Sequence, residues 1–166
     1  NVTVSEGGSL IINAEAKSGL AYNAGRLTAD GKGSMVTVNG GKYGDSGANN
    51  SEISALNGGT VRINDGSFST SGAGGHAVMA GSDSVIYIDG GSFSCSGANS
   101  IAVYADGGTI IINDFSFSAV NGKKYGVDNG GQILVSKSCS ADKPTGLSSG
   151  CTVTDNGDGY WLIKEN

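Results

Sequence analysis

Basic charge is scarce in this chain and is not clustered. Lys and Arg together number 10 against 15 Asp and Glu, for a formal net charge of −5. The one basic doublet is Lys123-Lys124, which a solvated turn explains. A protein that neutralises phosphates needs grouped Lys and Arg, so nucleic acid and anionic membrane are excluded as expected partners. Long apolar runs are missing too. None approaches the roughly 20 residues of a membrane span, and no membrane insertion is expected. Histidine occurs once, at His76, and one His without a second ligand makes no zinc site. Proline also occurs once, at Pro144. There are three cysteines, Cys95, Cys139 and Cys151, so if two of them pair the third is left unpaired. Charged residues make up 15% of the chain, against roughly 25% in ordinary globular proteins. The chain begins at Asn1 rather than Met, as a processed product or a fragment does.

What the chain has in excess is glycine, 30 residues of it. Such an excess often marks a flexible chain. Here the glycines separate β-branched runs, which argues for order. The runs read almost as copies: residues 9–13 (SLIIN), 34–41 (SMVTVNGG), 60–66 (TVRINDG), 84–91 (SVIYIDGG), 109–114 (TIIIND) and 132–136 (QILVS). Their closing residues are Asn13, Asn39, Asn64, Asp89, Asn113 and Ser136, at spacings of 26, 25, 25, 24 and 23. A unit of this length is too short for a βαβ repeat, and its apolar residues alternate with period 2.

Aligned on the closing residue, the repeats form columns. Leu10, Val36, Val61, Ile86, Ile110 and Ile133 form one inward column. Ile12, Val38, Ile63, Ile88, Ile112 and Val135 form a second. The residues between them (Ile11, Thr37, Arg62, Tyr87, Ile111 and Leu134) are expected to point outward, because side chains alternate across a strand. Tyr43, Phe68, Phe93 and Phe117 make a further column. A third strand-like patch covers residues 53–56, 76–79, 101–104 and 125–128, and places His76 with Ile53, Ile101 and Tyr125. Cys95 aligns with Thr70 and Ala119 as a small buried or corner residue.

The reading is an all-β chain: a parallel β-helix (β-solenoid) of about six coils of ~25 residues over residues 1–138, with a C-terminal capping hairpin over 139–166 in the same domain. Stacked closing Asn side chains are expected to hydrogen-bond along the rod. In the terminal segment, residues 151–154 and 160–163 flank the turn DNGDG, which reads as a hairpin with Trp161 over the open end. Cys139 and Cys151 are the candidate pair for a disulfide stapling this cap, with two free thiols as the alternative.

The strings GGTVRINDGSF (residues 58–68) and AVYADGGTIIIND (102–114) resemble glycine-rich repeats of bacterial cell-surface proteins, whose architecture is that of pectate-lyase-like right-handed parallel β-helices. They are also similar to parts of phage tail and capsid-decorating proteins. The resemblance spans roughly residues 9–136. It implies a location outside the cell, at a cell surface or on a virion.

Enzymes of this architecture cleave acidic polysaccharides with clustered carboxylates. Here Asp65, Asp89, Asp106, Asp114 and Asp128 fall at corners, and no recurring Lys or Arg stands beside them to hold a uronate. Asp155, Asn156 and Asp158 suggest a calcium loop but lack the closing Glu, so a hairpin turn explains them. No catalytic residue, cofactor or metal is expected. The favoured function is a structural and binding module that meets a surface glycan or a protein partner. The expected contact face is Thr37, Arg62, Tyr87 and Tyr104, and the chain is open to homo-oligomerisation. A polysaccharide-degrading lyase or hydrolase is the alternative. A paired-carboxylate cleft would favour it.

Overall fold

The computed structural model describes residues 1–13 and 26–166. Its strands fall into successive coils. The first holds β1 (Val2–Val4) and β2 (Ser9–Ile12), the second β3 (Leu27–Asp30) and β4 (Met35–Asp45), the third β5 (Ser51–Leu56) and β6 (Thr60–Thr70). Next come β7 (His76–Ala80), β8 (Val85–Ile88) and β9 (Ser92–Cys95), then β10 (Ile101–Asp106), β11 (Thr109–Ile112) and β12 (Ser116–Val120). β13 (Lys123–Asp128) and β14 (Gln132–Ser136) close the stack, and β15 (Cys151–Asp155) and β16 (Tyr160–Glu165) follow.

Coils stack in parallel and build three faces. The first is the six-stranded sheet β1-β3-β5-β7-β10-β13. The second runs β2-β4-β6-β8-β11-β14. The third is formed by the ends of β4 and β6 with β9 and β12. The molecule is the expected β-solenoid; six rungs on the first two faces enclose about five turns rather than six full coils. β1 and β3 lie in segments that the repeat alignment does not assign to strands.

Register explains the core. On the second face Val36, Val61, Ile86, Ile110 and Ile133 stand in one column and Val38, Ile63, Ile88, Ile112 and Val135 in the other, all fully buried. Between the columns Ile11 is 60% exposed, which confirms inside and outside. On the third face Tyr43, Phe68 and Phe93 stack with centroids 5.0 and 5.2 Å apart and nearly parallel rings. Offset stacking of this kind adds to the area each ring buries.

At the corner between the second and third faces, three coils place a residue with positive φ. Gly41, Gly66 and Gly91 supply it at φ 104°, 136° and 107°. The fifth repeat has Phe115 at this position. There the pairing of β12 with β9 shifts between Phe117 and Ala119, so Cys95 pairs with Val120 rather than Ala119. The Phe117 ring leaves the ladder and packs edge-on against Phe115 and Tyr125. At another corner backbones touch: a Cβ on Gly72 would lie 2.0 Å from the Gly47 carbonyl oxygen, and one on Gly97 equally close to that of Gly72.

The closing Asn ladder forms and has a direction. Asn39 Nδ2 donates to Asn13 Oδ1 and Asn64 Nδ2 to Asn39 Oδ1, each at 2.6 Å. Asn113 Nδ2 donates to Asp89 Oδ1 at 2.6 Å, and the Tyr160 hydroxyl donates to Asn113 Oδ1. Asp89 has no N–H to pass on to Asn64. Arg62 Nη1 binds its other oxygen at 2.8 Å instead. Asp89→Asn is therefore expected to close the gap. It exchanges an exposed ion pair, commonly about 0.2–1 kcal/mol, for an amide bond of about 1 kcal/mol. Urea denaturation should show a gain of roughly 0.5 kcal/mol; a loss above about 1 kcal/mol would mean that the ion pair outweighs ladder continuity.

The hairpin cap is present. β15 and β16 pair antiparallel, and β16 pairs antiparallel with β14. Ile163 is fully buried opposite Ile133. Trp161 packs partly buried on the core and its Nε1–H donates to the Ser140 carbonyl. On the first face the β13 edge is met by residues 146–148: Lys124 N–H donates to Gly146 O, and Ser148 N–H to Tyr125 O. The expected Cys139–Cys151 bridge is not formed, and all three cysteines are free thiols. Cys139 Sγ donates to Ser136 O inside its own turn, whereas Cys151 Sγ turns to Ser148 Oγ and Val127 O. Backbone pairing and Ile163 hold the cap without a bridge.

Candidate functional site

Thr37, Arg62 and Tyr87 are register neighbours on β4, β6 and β8, at the middle of the second face. The Arg62 guanidinium lies 4.8 Å from the Tyr87 ring centroid while it binds Asp89. Both features hold the cation against its neighbours on the sheet. Tyr104 does not join them. It stands on the first face, in register with Ser54, Met79 and Gly126. The proposed four-residue contact face is thus split between two sheets, because the chain turns two corners, along the third face, between residues 87 and 104. The Tyr104 hydroxyl donates to Asp128 Oδ2 at 2.7 Å, and the ring stacks on His76 at 4.4 Å.

The His76 column is corrected. Its partners are Ser51 and Ile101, and beyond Ile101 comes Lys123; Ile53 and Tyr125 belong two residues further along, with Val78 and Val103. His76 Nδ1 lies 3.3 Å from Ile101 O. Burial lowers its pKa below the usual histidine range. The acidic hairpin turn is internally bonded: Lys137 Nζ and Gly157 N–H both reach Asp155 Oδ1, and Asn156 Nδ2 reaches Asp158. Among the described residues no group of three or more His, Cys, Asp or Glu is placed to hold a metal ion.

The third face carries a feature outside the columns of the repeat alignment. In Ser67-Phe68-Ser69 and Ser92-Phe93-Ser94 the aromatic points inward, so both serines point outward. The face becomes a grid of hydroxyls, about 4.8 Å apart between coils and two residues apart along each strand. Its upper part dips into a concavity of about 440 Å³ lined by Gly44, Asp45, Ser46, Ser69, Thr70, Ser71, Ser94 and Ser96. Ser69 Oγ donates to Tyr43 O at 3.3 Å. Among the described residues, the hydroxyls of Ser46, Ser71, Ser94 and Ser96 have no protein partner. Asp45 at the rim accepts from Gly47 N–H and Asn50 Nδ2, each at 2.7 Å. The Gly47 bond leads in holding its pKa below the usual carboxylate range.

A second concavity of about 330 Å³ lies at the corner below, lined by Asp65, Gly66, Gly91, Ser92, Asp114, Phe115 and Ser116. The repeat alignment puts Asp65 and Asp114 two coils apart with Gly90 between them, a separation on the order of 10 Å. Each carboxylate accepts a backbone N–H of its own turn: Gly66 for Asp65 and Phe115 for Asp114.

No family model, curated protein or solved structure matches the chain.

Proposed function

We propose that the protein is a non-catalytic display and binding module of a cell or virus-particle surface, and that the third-face groove takes a neutral glycan. The observation that carries this is the row of unpartnered hydroxyls in a concave, rigidly backed strip. Serine hydroxyls both donate and accept, as sugar hydroxyls require. Among the described residues, Asp45 is the rim's one carboxylate, and it is already bonded to its own loop. The stacked Tyr43, Phe68 and Phe93 rings beneath fix the strands and so fix the hydroxyl positions.

The test is a glycan array followed by calorimetry on the strongest binder. Ser94→Trp fills the groove from an outward position and should weaken binding by at least about tenfold, a loss of about 1.4 kcal/mol, without lowering Tm by more than a few degrees. Tyr87→Ala, on the second face, should leave affinity unchanged. The opposite pattern moves the site to the second face. The Asp65–Asp114 concavity favours the alternative, since two carboxylates about 10 Å apart lie near the upper end of the range for inverting glycoside hydrolysis. Reducing-end release from a polysaccharide panel, abolished by Asp114→Asn, would establish an enzyme; no turnover is expected.

A further inference from the structure

Glu52 is the one fully buried carboxyl among the described residues, and neither of its oxygens has a hydrogen-bond partner. It stands on β5 between Ser51 and Ile53, opposite Ala77 of β7, and beyond that Ala102 of β10. Both alanines are fully buried. The next two coils therefore fill this inward position with a methyl group, and this coil fills it with an acid. Packing alone does not call for that choice, since an unpaired buried carboxylate is among the costliest groups a core can hold.

Two charged groups act on Glu52. The Asp45 carboxylate, at the end of β4, repels its ionised form, while the nearby Asp45 backbone N–H and then Arg26, just before β3, favour it. Arg26 is already engaged: its Nη1 donates to Asn50 Oδ1 at 2.8 Å, and Asn50 Nδ2 donates to Asp45 Oδ2. From β7, the titratable neighbour is His76, in register with Ser51 and stacked outward on Tyr104. Thr70, the register partner of Asp45, also buries a hydroxyl without a partner.

We infer that Glu52 is a proton-operated latch on the corner at residues 45–52, the corner that supplies Asp45 and Ser46 to the third-face groove. With the proton on, the neutral side chain stays in the dry interior and the Arg26–Asn50–Asp45 chain holds the corner shut. With the proton off, the carboxylate needs water or Arg26. Either admits solvent at the corner or takes Arg26 away from Asn50, and the groove wall loosens. Burial, reinforced by the Asp45 charge, raises the pKa of Glu52 from 4.5 to about 7, so the switch falls in the neutral range. The sign follows from that direction. Below about 4.5 the group is neutral whether folded or unfolded. As pH rises towards 7 only the folded chain keeps the proton, so stability falls, and above 7 the full cost is present. His76 acts at the other end: its lowered pKa costs stability as pH falls through the usual histidine range. That the latch governs ligand binding rests on the glycan reading of the groove; the latch itself does not.

The experiment is amide hydrogen exchange by mass spectrometry at about pH 6 and pH 8.5, corrected for the intrinsic rate, on the full chain. Peptides covering residues 44–56 should exchange on the order of tenfold faster at the higher pH, while those over β11 and β14 stay constant. Glu52→Gln should remove the difference. Glu52→Ala, the residue of the neighbouring coils, should remove it as well and serves if the amide is not tolerated. His76→Asn should leave it in place. A corner that exchanges alike at both pH values, or a pH response that survives in both Glu52 variants, overturns the latch. Loss of the response with no glycan found on the array would overturn the groove reading and leave the latch standing.

Discussion

Ile88→Asp is expected to leave no folded protein at neutral pH and 25 °C. Ile88 is fully buried, directly between Ile63 of the coil before and Ile112 of the coil after. The substitution removes the branched side chain from both contacts, which alone costs about 2–5 kcal/mol in a packed core. It also places a carboxyl where neighbouring side chains offer no donor. Burying such a group without a partner adds several kcal/mol, or forces it to take up a proton. A domain with about 5–15 kcal/mol of total stability does not survive the sum. Arg62→Ala, on β6 and turned outward from the same sheet, should cost less than about 1 kcal/mol although it removes an ion pair and a ring contact. Circular dichroism melts of the two variants decide it. Comparable losses of Tm would mean that inside and outside are exchanged.

Removing residues 151–166 is the second large effect, and its readout is association rather than unfolding. The deletion strips β15 and β16, uncovering the free edge of β14 along Ile133 to Ser136. It uncovers the apolar surface that Ile163 closes, and it removes the Tyr160 hydroxyl from the end of the Asn ladder. The Glu165 carboxylate that accepts from Gly130 N–H goes as well. An uncapped parallel edge with unpaired N–H and C=O groups templates further strands. The truncated chain should run as oligomers or end-to-end fibres in light scattering and size-exclusion chromatography. A monodisperse product at the monomer's size would show that residues 139–150 seal the end by themselves.

The second face was legible in the sequence because two signals agree there. Period 2 assigns Val61 and Ile63 inward and Arg62 outward, and the 25-residue spacing sets each coil's register by the closing Asn. The first face lacked such a marker. The repeat alignment sets His76 against Ile53, whereas its partner is Ser51. A slip of two residues leaves the inside–outside alternation unchanged, so the hydrophobic pattern cannot detect it, whereas a slip of one would have been visible at once. Paired inward residues such as Ala77-Val78 and Ala102-Val103 blur the alternation further. Glu52 was invisible for the same reason: an acid is conspicuous only when it is known to sit over Ala77 and Ala102. The hydroxyl grid was readable in principle from the Ser-Phe-Ser triplets, since an inward Phe68 dictates outward Ser67 and Ser69. The cysteine expectation failed because nearness in sequence says nothing of where each thiol points. Cys139 closes a turn onto Ser136, and Cys151 opens a strand facing Val127.

The in-register stack also sets how length is used. Each circuit of about 25 residues advances the axis by one strand spacing, about 4.8 Å, where the same stretch in an α-helix would advance nearly 40 Å. A chain under selection for reach would not fold this way. Nearly all of its contour goes into perimeter, and the perimeter is three stiff panels whose positions are locked by the rungs above and below. Duplicating or deleting one circuit would make the panels taller or shorter by a fixed step and leave their chemistry and angles alone. The architecture is a means of setting the area of a patterned wall, one course at a time.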